Sequence, residues 1–226
     1  MTKRMRFISI ITLILVFIPG FAFARAGGGS SGGGGGIVSL ILLPFFLIYS
    51  AILTYQVKKK SAETKELLKK ISEFDSSWNF DNIKNNIETA FFKLQEAWME
   101  RNQDIAKDYL SQSLYEKHKT QTDNMIKAHE KNILRNISLL EHKMVQVSDY
   151  SDNSKDAFWV YIKGSMIDYT INDENGNKIA GKEDDESAFI ELWKFIRSDN
   201  GWVVDEIDSN VAINDVKEFK SFSESI

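Results

Sequence analysis

Residues 189–207 read Phe189-Ile190-Glu191-Leu192-Trp193-Lys194-Phe195-Ile196-Arg197, then Ser198-Asp199-Asn200-Gly201, then Trp202-Val203-Val204-Asp205-Glu206-Ile207. Two runs rich in β-branched and aromatic residues, joined across Asn-Gly, predict a β-hairpin. In the first run Phe189, Glu191, Trp193, Phe195 and Arg197 share one face. Ala188, Ile190, Leu192 and Ile196 share the other, broken only by Lys194. A strand that is apolar on both faces is covered from two sides or lines a cavity. The segments before it are the candidates for that cover.

Working back from the hairpin, Asn175-Gly176 marks a turn, and Glu183-Asp184-Asp185-Glu186 falls in the loop before Phe189. A long strand is expected from Ala157 to about Ile171. Phe158, Val160, Ile162 and Met166 take one face and Trp159, Tyr161, Ile167 and Tyr169 the other. Gly164, in mid-strand, marks a bulge or bend that would let a sheet curve, and one bulge there would reverse the alternation beyond it. Met144, Val145 and Val147 begin an earlier strand, after a connection through Asn136 and Glu141. Four strands in up-and-down order predict an antiparallel sheet.

Ahead of the sheet the period changes to that of a helix. Phe80, Ile83, Ile87, Phe91, Leu94 and Trp98 recur at three- and four-residue spacing, with Ala90 and Ala97 in the same stripe. Asn79 or Asp81 can cap its start. Asp104 can cap a short second helix, and Ser113 with Glu116 forms a capping box for a third, expected to end near Lys131. Helices first and strands after give an α+β domain, placed at residues 79–208, with a polar tail at 209–226.

The N-terminal part is not globular. Lys3, Arg4 and Arg6 precede an apolar run that ends at Pro19-Gly20 and Ala22-Phe23-Ala24, the pattern of a signal peptide over residues 1–24 or of an uncleaved first membrane helix. Residues 25–36 are a glycine-rich spacer, and without a preceding strand or a following Lys-Ser/Thr they do not form a phosphate loop. Residues 37–57 carry no charge. As a helix, residues 37–55 would measure roughly 28 Å, close to the hydrocarbon core. Lys58, Lys59 and Lys60 follow at once, with Lys65 close behind. The positive-inside rule puts this end, and the domain after it, in the cytoplasm, the span lying in the cell's inner (plasma) membrane. Residues 58–78 are expected to be a basic juxtamembrane helix or stalk, whose Lys58, Lys59, Lys60 and Lys65 could contact anionic headgroups.

Of 28 Lys and Arg, four lie before residue 58 and no Asp or Glu does, which leaves 24 bases against 32 acids beyond that point. A net charge of about −8 disfavours a nucleic-acid partner, since phosphate binding needs a concentrated basic surface. The chain has no cysteine, so thiol catalysis, zinc-cysteine sites and disulfides are excluded.

Gln95-Glu96-Ala97-Trp98 on the aromatic helix, Leu110-Ser111-Gln112-Ser113-Leu114-Tyr115 after it, and Glu191-x-Trp193-x-Phe195-x-Arg197 with Gly201-Trp202 form a set in order. This set resembles the Tim-forty-four-like domain, named after the mitochondrial import subunit that tethers the import chaperone to the translocon. The match covers roughly residues 80–207. The resemblance implies a cone-shaped α+β fold similar to the nuclear transport factor 2-like group, with a curved sheet and helices around a pocket. It also implies a bacterial membrane-anchored type with a protein partner, and a role in protein transport or membrane-protein assembly. The charged segment that the mitochondrial protein uses for chaperone binding is absent here, and a transmembrane helix replaces peripheral attachment.

No Gly-x-Ser-x-Gly, His-Glu-x-x-His or Walker pattern occurs. His118 and His129 could share a helical face, but a metal set would need a carboxylate such as Asp123 or Glu130, and surface or packing roles fit these histidines better. The expectation is no catalytic residue, no metal and no cofactor. Phe91, Trp98, Tyr115, Trp159, Tyr161, Trp193 and Trp202 are the candidates for pocket or core lining. The alternative function is a pocket for a lipid or small hydrophobic ligand at the membrane surface. An enzyme would need Asp168, Tyr161 or Glu191 to point inward. Replacing Trp98 or Trp193 by Ala is expected to cost roughly 3–5 kcal/mol of stability each, rather than to remove an activity selectively.

Overall fold

A computed structural model describes residues 36–199 and 201–225, with side chains from Leu42 onward. The signal segment at 1–24 and nearly all of the glycine spacer lie outside the described residues. The elements in order are α1 (Gly36–Ile71), a 3-10 turn (Ser76–Trp78), α2 (Phe80–Glu100), a 3-10 helix (Gln103–Tyr109) and α3 (Gln112–Lys127). Then come β1 (Glu130–Asp149), a 3-10 turn (Asn153–Lys155), β2 (Ala157–Asn172), β3 (Lys178–Ser198), β4 (Gly201–Asp208), α4 (Ile213–Glu218) and β5 (Phe222–Ser223). The α+β order holds. Among the described residues no helix is long and apolar enough to cross a membrane.

The helices start and stop where local chemistry satisfies their free backbone groups. The Asn79 side chain accepts from Asn82 N to open α2, and Arg101, with φ 52, closes it in the left-handed region. Ser111, rather than Ser113, caps α3 by accepting from Leu114 N at 3.2 Å. Most of the α2 stripe read from the sequence is buried (Ile83, Ile87, Ala90, Phe91, Leu94 and Ala97), whereas Phe80 at its start is exposed and Trp98 at its end is only partly buried.

The sheet has five strands in the order β4-β3-β2-β1-β5, not four. Pairings among β1 to β4 are antiparallel, and β5 pairs in parallel with β1 through Ser148↔Phe222 and Asp149↔Ser223. The expected connection through residues 132–141 is instead the first half of β1. Register shifts at Arg135/Ser138, Leu139/Glu141 and Met144/Gln146 break its alternation, so the period-two pattern is lost while the strand persists and bends. The acidic cluster lies within β3. Between the pairs Tyr169↔Gly181 and Ile167↔Glu186, residues 182–185 have no partner on β2 and bulge outward.

Gly164 does not reverse β2: Phe158, Val160, Ile162 and Met166 all join the main core. It faces Phe189 on β3, and a Cβ at this position would overlap that ring, falling 2.8 Å from Cε1 and 3.1 Å from the Ser138 carbonyl oxygen. Phe189 in turn stacks on Phe91 at 6.3 Å. Gly164→Ala should therefore overpack the core by about 1–3 kcal/mol, lowering the denaturant midpoint with an unchanged m-value.

Two apolar clusters hold the layers together. The main core lies between the inner face of the sheet and the helices, and Trp78, Phe91, Phe158, Trp193 and Phe195 are fully buried in it. The second lies on the outer face, where Leu53 and Val57 of α1 and Val216 of α4 cover Val145, Tyr161 and Leu192. One helix thus serves both clusters, since Leu68 and Ile71 of α1 belong to the main core. Residues 58–78 accordingly pack as part of the domain rather than as a separate stalk. The expected polar tail at 209–226 supplies α4 and β5, because Val216, Phe219 and Phe222 bury apolar surface against α1, Trp159 and Tyr150.

Candidate functional site

At one end of the main core, α2 and α3 stand off the inner face of the sheet and leave a pocket of ≈ 200 Å³. Leu94, Gln95 and Trp98 come from α2, and Lys117, His118 and Gln121 from α3. Asn132, Leu134, Asp168, Glu191, Trp193 and Ile207 come from the strands, and Ser209 follows β4. Its wall is thus mixed, with two indole rings beside carboxylates and amides.

The carboxylates are held. Glu191, 4% exposed, accepts from Trp193 Nε1 at 2.8 Å and from Ser209 Oγ at 3.0 Å. Asp168 accepts from Asn132 Nδ2 at 3.0 Å, and Asn132 Oδ1 accepts from Thr170 Oγ1 at 3.1 Å. The Trp98 and His118 rings meet edge to face at 5.6 Å. Burial, with a smaller push from the Lys117 charge, brings the His118 pKa down to about 4, so the ring is neutral near pH 7.

That depression has a measurable consequence. His118 binds its proton near pH 6.5 when unfolded and near 4 when folded, so the unfolded chain holds more protons in between. Stability should be complete above about pH 6.5 and fall by on the order of 3 kcal/mol as the pH drops through 4. Denaturant midpoints from pH 7 to 4 should show this slope, and His118→Gln should flatten it. An unchanged slope in that variant would show that the ring is not buried neutral.

The seven candidate lining residues separate into different places. Trp98 and Trp193 line the pocket, and Phe91 lies behind them in the core. Tyr115 packs at the edge of the core and donates from Oη to Asp104 Oδ1 at 2.7 Å. Trp202 sits at the far end of the core, tilted on Trp78 at 4.4 Å, and donates from Nε1 to the Ser77 carbonyl at 2.9 Å. Trp159 and Tyr161 are on the opposite face, where burial pushes the Tyr161 pKa up to about 12. Of the three inward-pointing candidates, Asp168 and Glu191 reach the pocket and Tyr161 does not.

Gln95, Asn132, His118 and Ser209 were not singled out as pocket residues from the sequence. Gln95 carried a signal, being a polar residue inside the apolar stripe of α2. Asn132 carries none, because the register shifts of β1 remove the alternation that would mark its strand. His129 lies beyond the end of α3 with φ 55, facing Asp173 and Glu174, so it shares no helical face with His118. Among the described residues no group of three or more His, Asp or Glu is placed to hold a metal ion.

A second concavity of ≈ 260 Å³ lies between α1, α2 and β1, lined by Lys65, Lys84, His142 and Lys143 among others. Glu88 meets His142 Nε2 at 3.1 Å, and Glu141 pairs with Lys143. Of the four lysines expected at a membrane surface, Lys58 and Lys59 are exposed. Lys60 donates to the Phe219 carbonyl at 2.5 Å, and Lys65 lies 5.6 Å over the Phe80 ring.

Fold and site together define an α+β domain in which a curled mixed sheet and two helices line a pocket with a mixed polar and apolar wall. The family model of the Tim44-like domain matches residues 64–209, and the chain belongs to that family. No curated protein matches it. Among solved structures, the intermembrane space region of the chloroplast protein ARC6 is similar at 12% identity and a TM-score of 0.38, over 55% of this chain and 93% of that one.

Proposed function

We propose that this chain is a non-catalytic interaction module, held in the inner (plasma) membrane by α1. Its Tim44-like domain faces the cytoplasm and engages a protein partner in protein transport or membrane-protein assembly. The observation that carries this reading is the character of α1. Leu43, Phe45, Phe46, Leu47 and Ile48 are each at least half exposed, on every side of the helix, whereas the same helix ends buried in the core of the domain at Leu68 and Ile71. A helix that is apolar all round is stable in lipid or inside a protein, and among the described residues none covers that segment. The sequence continues the apolar run back to Ile37, and Lys58-Lys59-Lys60 ends it on the cytoplasmic side.

The non-catalytic reading draws on the pocket. Glu191 and Asp168 are engaged as hydrogen-bond acceptors from Trp193, Ser209 and Asn132, and burial leaves the His118 ring neutral near pH 7. The mixed wall also suits a polar contact better than a purely aliphatic ligand.

The test is crosslinking and purification from intact membranes, with the full chain as bait and a control carrying an inert domain after residue 72. Specific proteins recovered with the native domain alone would support the reading. Recovery of lipid or a small molecule only would replace it with the ligand-pocket alternative. Orientation is accessible because the chain has no cysteine. A Glu174→Cys variant should react with an impermeant maleimide in inverted vesicles and be protected in right-side-out ones; the reverse pattern would overturn the cytoplasmic placement.

A further inference from the structure

The outer face of the sheet carries an apolar groove formed by Val145, Tyr161, Leu192 and Val216, and α1 fills it. Leu53 and Val57 are buried there, and Tyr49 packs alongside with its hydroxyl 3.5 Å from the Val211 carbonyl. Residues 49, 53 and 57 recur every fourth position and so form one stripe of the helix.

The segment that carries this stripe, residues 49–57, belongs to the uncharged run at 37–57. Ahead of the docked stripe, residues 37–48 measure roughly 18 Å as a helix, while the whole run measures roughly 31 Å. The hydrocarbon core is about 30 Å thick. A full span therefore needs residues 49–57 in lipid, whereas the groove needs them on the sheet. The docked flank is a poor candidate to follow them into lipid, because Asp208, Asn210 and Asp215 flank the Tyr49–Val211 contact. Beyond the stripe the helix is fixed: Lys60 donates to the Phe219 carbonyl, Thr64 Oγ1 meets Ser221 Oγ at 3.0 Å, and Leu68 and Ile71 are buried in the core.

We propose that residues 49–57 exchange between two sites, the bilayer and the outer face of the sheet, so that full insertion of the span vacates the groove. This rests on the anchor reading above and adds to it that bilayer thickness decides whether the groove is filled. A thin bilayer is spanned by the residues ahead of the stripe and leaves the helix docked. A thick one draws the stripe into lipid, and the domain pivots about the lysines that follow it.

The absence of cysteine allows a direct test. The full-length double variant Leu53→Cys/Val216→Cys is placed in short-, medium- and long-chain phosphatidylcholine vesicles and treated with a short bifunctional thiol reagent. Bridging should be high in the thinnest bilayer and about fivefold or more lower in the thickest, as the longer span is drawn in. The pair Val57→Cys/Val145→Cys should follow the same trend, which guards against one substitution loosening the packing. Equal bridging at every thickness, in chains that resist carbonate extraction, would overturn the exchange and leave the anchor standing. Low bridging even in the thinnest bilayer would likewise overturn it. A chain that carbonate strips from all the vesicles would overturn the anchor and the exchange together.

Discussion

Arg197→Met is expected to cost the domain about 3–5 kcal/mol, because it breaks a partly buried charge cluster on one side only. Arg197 donates from Nη1 to Asp75 Oδ2 at 2.5 Å and to Asp156 Oδ2 at 2.9 Å, and from Nη2 to Ser77 Oγ at 2.7 Å. The Asp156 side chain is 0% exposed, and burial lifts its pKa although the Tyr150 N–H and Arg197 both pull it down. Without the guanidinium that carboxylate would stand buried with no counter-charge and only the Tyr150 N–H as partner. The cluster also ties the segment after α1 to β3. Arg197→Lys should recover only part of the loss, since an ammonium cannot reproduce the planar fork.

The acid side provides a second readout of the same cluster. Burial would raise the Asp75 pKa, but hydrogen bonds from Arg197 and Ser77 outweigh it and hold the carboxyl below its usual range. Its contribution is therefore present above the unfolded value of 3.8 and is lost as the pH falls below it. In Arg197→Met that part of the acid dependence should shrink. A variant unfolding at the wild-type denaturant midpoint would show that the cluster adds nothing to stability.

Trp193→Ala should cost a similar amount, about 3–5 kcal/mol, through the cavity left by a large side chain. Trp193 is 1% exposed, lies 5.9 Å from Phe91 and 6.5 Å from Phe195, and gives its N–H to the buried Glu191 carboxylate. Trp193→Phe would retain most of the packing and remove only that donor, so the two variants separate cavity from hydrogen bond. Trp98 differs from the sequence expectation. It is only partly buried at the pocket edge, against His118, and Trp98→Ala should cost about 1–2 kcal/mol. Calorimetric melting of the pair checks both, and a Trp193→Ala protein with the wild-type Tm would refute the core assignment.

The α2 stripe and the two faces of β2 and β3 were legible because each had a periodicity that burial then used. β1 was not, because three register shifts scramble its alternation. Trp78 is an instructive omission: it is 0% exposed and donates to Asp149 Oδ1 at 3.2 Å, yet it lies in a short turn with no periodic neighbours to mark it. Part of the pocket was visible in Trp98, Trp193, Asp168 and Glu191. Gln95, Asn132, His118 and Ser209 join it from segments distant in sequence that only the closure of helices over the sheet brings together.

By itself, the sequence determined the α+β class, the hairpin with its inner and outer faces, the uncharged run at 37–57 and the family motifs. All of these are written in local spacing and composition. Tertiary structure alone decided that the residues after Lys58 belong to the domain and that the C-terminal segment adds α4 and a parallel strand. It also decided that Trp159 and Tyr161 face a different partner from Trp193, and that one stripe of α1 packs on the outer face of the sheet. These depend on which surfaces meet across long sequence separations, and local spacing carries no information about that.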